Sequence, residues 1–197
     1  MKERTGGVAA VTLAFRGVLV DLDGAEQALV YDIARRHGLA PMDRGRALAR
    51  RLRALEVEMG CLAAAVEALA SERAFRWAPT GADAVRRIAA GCRTLVDVRP
   101  ALDRLEIPVV AVADAEPLIV DSALRPLDGA FAAVVTARGP RAALHAALAR
   151  AGAPAARVVH VGTDHAELRV ASMLGMRTAS PAQLLDLAAG GALAAAP

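Results

Sequence analysis

Charged side chains that suit chemistry on small anions follow several short apolar runs in this chain. Arg16, Arg138 and Arg141 each offer a guanidinium group whose planar fork matches phosphate, sulfate or carboxylate. Acidic residues and a histidine stand at comparable places: Asp114, Asp164, Glu167 and His165.

Three kinds of site would fit this set of side chains. The first is a pocket in which Arg16 and Arg138 bind an anion through charge-assisted hydrogen bonds. The second is an internal network of ion pairs, in which arginines and carboxylates neutralise one another and bind nothing. The third is acid–base chemistry by Asp114, Asp164 or His165, which needs a side chain with a shifted pKa. The sequence leaves these alternatives open.

Apolar runs that alternate with helical patterns predict an α/β fold with a Rossmann-like parallel sheet of about five strands. His160, inside the fourth run, is expected to be a hydrogen-bonded core residue. Ligands of open α/β sheets bind at the carboxyl ends of the strands, so we expect the charged residues to meet there. The runs span residues 8–14, 107–113, 131–136, 157–161 and 176–178.

The first half of the chain differs, because residues 25–92 show almost no strand signal. Helical patterns cover residues 26–37, 43–73 and 82–90 instead. We therefore predict an inserted all-helical cap over residues 25–92, lying above the carboxyl edge of the sheet. Residues 1–24 and 93–197 are predicted to form the α/β core.

Composition limits the class of protein. The chain has 197 residues, enough for a substantial core, and 55% of them are hydrophobic. Its two cysteines, Cys61 and Cys92, lack the paired spacing of a disulfide framework or a thiolate metal site. No apolar run approaches the length of a membrane span, so we expect a cytoplasmic protein.

The segment from Leu13 to Asp21 reads Leu-Ala-Phe-Arg-Gly-Val-Leu-Val-Asp. It resembles the opening motif of the haloacid dehalogenase superfamily, Asp-x-Asp-Gly-(Thr/Val)-Leu-x-Asp. The resemblance puts Ala14 at the nucleophile position and Arg16 at the general-acid position. A methyl group cannot attack phosphorus, and an arginine does not release its proton near neutral pH.

The later motifs of the superfamily are altered in a similar way. Ala113 stands where the resemblance implies a Ser or Thr. Arg138 is the first candidate for the position of the family's lysine, with Arg141 as the second. In the fourth motif, Thr163 replaces a metal-ligating aspartate, and Glu167 falls where a second acidic residue is implied.

The resemblance covers residues 8–180 and implies a helical-capped fold with an incomplete phosphatase apparatus. Without carboxylates at Ala14 and Thr163, a magnesium ion loses two of its expected oxygen ligands. We therefore predict no metal site and no cofactor. The expected function is that of a non-phosphatase: a binder of an anion or metabolite, a partner subunit, or a repurposed catalyst. Whether the protein is an enzyme stays open.

A second alignment reads residues 17–24, Gly-Val-Leu-Val-Asp-Leu-Asp-Gly, as a strand followed by Asp-x-Asp-Gly. Asp21 would then be the nucleophile and Asp23 the general acid of a hydrolase that uses Mg²⁺. The spacing favours the alignment on Ala14, because a helix starting at Glu26 would leave no room for the flap that follows the motif.

Charge supports only a coarse expectation about partners. A net charge of +3 permits an anionic partner without requiring one. Arg46, Arg50 and Arg53 recur at helical spacing, but no aromatic residues interleave them, so we expect a solvated face and not a nucleic-acid site. The expected partner is a small anionic metabolite or a protein, without membrane association. The sequence does not indicate the oligomeric state.

Overall fold

The computed structural model describes residues 7–39, 42–95 and 98–188. Its strands are β1 (Ala10–Ala14), β2 (Val109–Ala113), β3 (Ala133–Thr136), β4 (Val158–Val161) and β5 (Arg177–Ala179). They form one parallel sheet in the order β3-β2-β1-β4-β5. The predicted α/β class with a Rossmann-like parallel sheet is confirmed.

Strand β1 lies at the centre of the sheet, and all its residues are buried. It pairs with β2, where Ala14 is opposite Val112, and with β4, where Leu13 is opposite Val161. Central strands of parallel sheets are covered on both faces. This explains why β2 is entirely apolar and why β1 is apolar apart from Thr12. This register brings the residues after β1, β2 and β4 to the same edge.

The described residues also form nine α-helices. In the second half of the chain helices alternate with strands, as the sequence predicts, and the strands they connect are parallel. The helices are α1 (Leu22–Arg36), α2 (Met42–Met59), α3 (Leu62–Glu72), α4 (Gly81–Gly91), α5 (Val98–Leu102), α6 (Pro117–Leu124), α7 (Pro140–Ala151), α8 (His165–Met173) and α9 (Pro181–Ala188).

Helix α7 contributes most to one apolar core of the sheet. Its residues Ala143, Leu144 and Ala147 are buried in a cluster with Val110 and Val112 of β2. The side chains are small, so the backbones approach closely and the core is built from Ala, Val and Leu. Leu144 is the largest α7 side chain in that cluster and is fully buried.

The chain divides into two compact units. One comprises the described residues of Met1–Val20, Thr94–Asp114 and Leu124–Pro197, and it contains the sheet. The other comprises the described residues of Asp21–Arg93 together with Ala115–Ala123, and it is helical. Residues 1–6, 96–97 and 189–197 of the predicted core, and residues 40–41 of the predicted cap, lie outside the described residues.

Residues 115–123 group with the helical unit, whereas the sequence-based boundaries assign them to the core. Hydrogen bonds within the helical unit explain the difference. The Leu62 backbone N–H donates to Glu116 Oε1 at 2.5 Å, and Ser122 Oγ donates to the carbonyl oxygen of Ala89 at 3.1 Å. These long-range contacts cannot be read from local sequence patterns.

The structure differs from the predicted helices in two ways. The stretch 43–73 is not one helix but two, because Gly60 adopts a left-handed φ of 71° and Cys61 begins α3 from an extended conformation. The Cys61 Sγ accepts from the Ala64 backbone N–H at 3.4 Å. Helix α5 was not predicted, since its five residues are too few to show a helical period.

The alternative alignment requires a strand over residues 17–20, directly before Asp21. The structure has no strand there. Residues 17–19 form a turn, and Arg16 and Val20 make only isolated bridges. Asp21 is the N-cap of α1, and its Oδ1 accepts from the Gly24 backbone N–H at 2.9 Å. Helix α1 therefore begins at Leu22, four residues earlier than the sequence pattern indicates.

Among the described residues, none of the helices has both the length and the apolar character that crossing a membrane requires.

We predict that Leu144→Ala lowers the free energy of unfolding by about 3 kcal/mol, because it leaves a cavity beneath the sheet. Leu118→Ala is the matched control, since Leu118 is 50% exposed on α6, and it should change the free energy by less than about 1 kcal/mol. Urea denaturation followed by circular dichroism measures both. Equal losses in the two variants would contradict the described packing of α7.

Candidate functional site

Strands β1 and β2 each end in an alanine at the carboxyl edge of the sheet, Ala14 and Ala113. Ala14 is 2% exposed and Ala113 is fully buried. Ala14 lies opposite Val112, one residue before the end of β2, so the two alanines terminate neighbouring strands. Neither side chain can act as a nucleophile, donate a hydrogen bond or bind a metal ion.

The loops after β1 and β4 approach each other closely. Gly17 has a left-handed φ of 74°, and its backbone N–H donates to the carbonyl oxygen of Val20 at 3.0 Å. A Cβ at Gly17 would stand 2.6 Å from Thr163 Oγ1, so only glycine fits here without a shift of Thr163. This approach brings Arg16 and Thr163 to the same part of the edge.

Asp114 follows β2 directly and has charged groups from three other loops near it. Its carboxylate accepts a hydrogen bond from the Gly139 backbone N–H and interacts electrostatically with Arg16, Arg138 and Glu167. Arg16 follows β1, Arg138 follows β3, and Glu167 lies in the first turn of α8 after β4. We call Arg16, Asp114, Arg138 and Glu167 the strand-end cluster. The charges of Arg16, Arg138 and Glu167 thus act on the Asp114 carboxyl.

The pKa of Asp114 is raised above its ordinary value, chiefly because burial disfavours the charged carboxylate. The Gly139 N–H, Arg16 and Arg138 oppose the shift, whereas the negative charge of Glu167 adds to it. The residue as a whole is exposed.

Arg138 and Arg141 were both candidates for one position, and the structure separates them. Arg138 precedes Gly139, the N-cap of α7, and its charge acts on Asp114. Arg141 lies in the first turn of α7 and is exposed, and it is not among the charges that act on Asp114. Arg138 is therefore the member of the cluster.

Asp164 and His165 begin α8. Asp164 is its N-cap, and its Oδ1 accepts from the Ala166 backbone N–H at 2.7 Å. This is a common structural role for an aspartate at a helix start. His165 is the first residue of the helix and is exposed. Neither acts on the Asp114 carboxyl in the way that Glu167 does.

A buried histidine supports Glu167 from inside the sheet. His160 of β4 is fully buried, and its Nδ1 lies 2.9 Å from Thr12 Oγ1 of β1. Its Nε2 lies 3.4 Å from Glu167 Oε1 without meeting hydrogen-bond geometry. The sequence indicated a hydrogen-bonded core histidine, which the contact with Thr12 confirms. It gave no sign of the contact with Glu167.

Gly162 leaves the space that this contact requires. A Cβ at Gly162 would stand 3.1 Å from His160 Nε2. Thr12 and His160 are opposite each other in the pairing of β1 with β4. The pairing could have been found from sequence only by aligning the two strands in the correct register, since 148 positions separate the residues.

The carboxylates of the alternative hydrolase alignment have other partners in the helical unit. Asp21 caps α1, as described above, and its backbone N–H donates to the carbonyl oxygen of Arg93 at 3.0 Å. Asp23 lies in the first turn of α1 and forms an ion pair with Arg53 of α2. Both carboxylates thus have structural roles within that unit.

Ala14 and Thr163 at the strand ends do not supply the two carboxylates that a magnesium ion would be expected to take at those positions. Mg²⁺ takes oxygen ligands, mainly carboxylates, at short octahedral distances. Ala14 offers no oxygen atom, and Thr163 offers a neutral hydroxyl. Within the described ranges, His, Cys, Asp and Glu form no group of three that could hold a metal ion. No step proposed below involves a metal.

The helical unit carries a surface cleft of about 480 Å³ between α1 and α4. Its floor is made of small residues, and Asp32 and Arg87 form an ion pair on its wall at 3.1 Å. Hydrogen bonds from Arg35, and then from Arg36 and Arg87, lower the pKa of Asp32 despite partial burial. Asp21 accepts from the Gly24 backbone N–H instead, and Arg93 donates to the carbonyl oxygens of Ala90 and Cys92.

No protein-family model matches this chain, and no match was found among curated proteins. Solved structures do resemble it. An L-2-haloacid dehalogenase from Xanthobacter autotrophicus with chloropropionic acid covalently bound has a TM-score of 0.68 at 16% identity, over 88% of this chain and 77% of that one. A further L-2-haloacid dehalogenase has a TM-score of 0.68 at 18% identity, over 87% and 85%.

A HAD phosphatase from Thermococcus onnurineus is similar at a TM-score of 0.61 and 14% identity, over 87% of this chain and 85% of that one. These similarities show that the chain has the fold of the haloacid dehalogenase superfamily. At such identities they establish the fold and leave the chemistry to the residues at the strand ends.

We predict that the pKa of Asp114 responds in opposite directions to two neutralising substitutions. Glu167→Gln should lower it, because a nearby negative charge is removed, and Arg138→Gln should raise it, because a nearby positive charge is removed. NMR titration of the Asp114 carboxyl carbon measures both. Shifts in the same direction, or none, would contradict the described cluster.

Proposed function

We propose that this protein is a non-phosphatase with a haloacid dehalogenase fold that binds a small anionic metabolite at the strand-end cluster. The observation that supports the proposal is that Arg16, after β1, and Arg138, after β3, both act electrostatically on the Asp114 carboxyl, which follows β2. This is the edge at which open α/β folds bind their ligands. Guanidinium groups recognise phosphate, sulfate and carboxylate by charge-assisted hydrogen bonds.

The fold is compatible with such a ligand. The Xanthobacter dehalogenase carries a small organic acid, chloropropionic acid, bound covalently. In the present chain Ala14 cannot form a covalent bond to a substrate. Binding without turnover is therefore the function that the residues at this edge support best.

A second candidate function is acid–base catalysis by Asp114. Its raised pKa supports this candidate, because a carboxyl group poised closer to neutral pH can exchange protons with a bound metabolite. The cluster would then bind the same anionic molecule and act on it. A cytoplasmic location also stays a prediction.

We predict that inorganic phosphate, sulfate or a nucleotide raises the melting temperature, because a ligand of the folded state alone stabilises it. At a ligand concentration of about 100 Kd the gain is about 2.7 kcal/mol. Arg138→Gln should reduce the shift, measured by differential scanning fluorimetry. Arg150→Gln, an exposed residue in the last turn of α7, is the matched control and should keep it.

If no anion shifts the melting temperature of the natural protein, the arginines serve an internal ion network and the binding proposal fails. If Arg150→Gln reduces the shift as much as Arg138→Gln does, the anion binds through general surface charge.

We predict no phosphatase turnover with p-nitrophenyl phosphate and Mg²⁺, because Ala14 provides no nucleophile. The comparison variant is Asp21→Asn, which keeps the cap of α1, since asparagine caps helices about as well as aspartate. Release of p-nitrophenol is followed by absorbance. Turnover in the natural protein that disappears in Asp21→Asn would establish the hydrolase alternative and overturn the proposal.

A further inference from the structure

Three arginines of the helical unit converge on one carboxylate. In α1, Arg35 Nη2 donates to Asp32 Oδ1 at 3.1 Å, and Arg36 Nε donates to Asp32 Oδ2 at 3.1 Å. From α4, Arg87 Nη1 donates to the same Oδ2 at 3.1 Å. We call Asp32, Arg35, Arg36 and Arg87 the Asp32 cluster. Because arginine is always charged, three guanidinium groups around one carboxylate leave a surplus of two positive charges.

The only tryptophan of the chain contacts two of these arginines. The guanidinium carbon of Arg36 lies 3.9 Å from the centre of the Trp77 ring, and that of Arg87 lies 5.6 Å from it. Both distances suit a cation–π contact, which attracts a guanidinium group to the face of an indole. The Trp77 carbonyl oxygen lies 2.6 Å from Nε2 of His37, the C-cap of α1. The indole is therefore anchored beside the Asp32 cluster.

Both guanidinium groups keep donors for a further acceptor. A guanidinium group carries five N–H donors, and the bond to Asp32 uses one donor of Arg36 and one of Arg87. Their side chains are 46% and 44% exposed, so an acceptor can reach them from solvent. Because the carboxylate and the indole already restrict these side chains, less conformational entropy is lost when an acceptor binds.

The cleft between α1 and α4 opens beside this cluster. Asp32 and Arg87 form part of its wall, and Ala28 and Gly91, both exposed, contribute to its lining. Its volume of about 480 Å³ falls within the range of roughly 300–1,000 Å³ that small-molecule sites have. The small lining residues leave room for the body of a ligand whose charged group is bound by the arginines.

We propose that this cleft binds a small phosphate monoester, whose phosphate group accepts hydrogen bonds from Arg36 and Arg87 while its organic part lies over Ala28 and Gly91. A phosphate monoester carries about 1.5 to 2 negative charges at pH 7 and offers three acceptor oxygens. Its charge matches the surplus of the Asp32 cluster, and its oxygens can accept from two guanidinium groups at once. The site lies in the helical unit and is separate from the strand-end cluster of the proposed function.

The test uses the fluorescence of Trp77, which reports on this site because the chain has no other tryptophan. Sugar phosphates and nucleoside monophosphates share the proposed chemistry, so glucose 6-phosphate and AMP are titrated into the full chain, beside glucose and adenosine. Isothermal titration calorimetry measures the same affinities independently. At least one ester should bind saturably and change the fluorescence, whereas glucose and adenosine should not bind. The ester that binds identifies the source of the phosphate group.

Inorganic phosphate is the probe that lacks an organic part. The ester that binds should do so about tenfold more tightly than inorganic phosphate, because its organic part occupies the cleft.

Arg87→Gln tests the phosphate contact. It should weaken binding of the ester about tenfold, because a charge-assisted hydrogen bond is lost. Arg86→Gln is the matched control, since the adjacent residue of α4 is paired with Asp83 instead, and it should bind the ester as the natural protein does. Circular dichroism confirms that each variant is folded. Binding that Arg87→Gln leaves unchanged, or that both variants weaken equally, would overturn the proposal.

Ala28→Leu tests the use of the cleft. Leucine forms helices nearly as well as alanine, but its larger side chain would occupy the space of the organic part, so the tenfold preference over inorganic phosphate should disappear. Gln27→Leu, at the neighbouring exposed position of α1, is the control and should keep the preference. A preference that survives Ala28→Leu would overturn the placement in the cleft. Equal binding of esters and their dephosphorylated forms, or no saturable binding of either ester, would overturn the site.

Discussion

The pairing of β1 between β2 and β4 is the constraint on which the site depends. It fixes the end of the central strand at Ala14 and so decides which side chains reach the carboxyl edge. Had the strand continued to Val20, Asp21 would have stood there instead. The turn at Gly17 prevents this, since its left-handed backbone reverses the chain, and Asp21 begins α1.

The consequence is an edge at which Arg16 follows β1, Asp114 follows β2 and Arg138 follows β3. Burial raises the pKa of Asp114, and the charges of Arg16, Arg138 and Glu167 modify that shift. Burial makes the largest contribution to the raised pKa of Asp114, so the shift is not explained by ion pairing alone.

Much of this arrangement could be predicted because it follows from local patterns. The five strands are short apolar runs, and residues such as Pro140 and Gly152 mark the two ends of α7. The break at Gly60 was missed, because Ala, Leu and Arg on both sides continue the helical composition through it. An aspartate directly before Leu22 is an N-cap signal that could have placed the start of α1 correctly.

Other features depend on contacts between residues that are far apart in the sequence, and local sequence patterns do not predict such contacts. The contact of His160 with Glu167 requires the crossing from β4 to α8, and its contact with Thr12 requires the register of two strands far apart in the chain. The assignment of residues 115–123 to the helical unit depends in the same way on the bond from Leu62 to Glu116. Sequence reasoning named the charged residues of the cluster and placed Arg138 ahead of Arg141.

The burial of Ala14 also bears on how such a chain can evolve. At 2% exposure, an aspartate introduced there alone would be a desolvated charge, and an unpaired buried charge destabilises a fold by several kcal/mol. A compensating group would have to arise beside it first. A single substitution of Ala14 by aspartate is therefore disfavoured unless a compensating group is already present beside it.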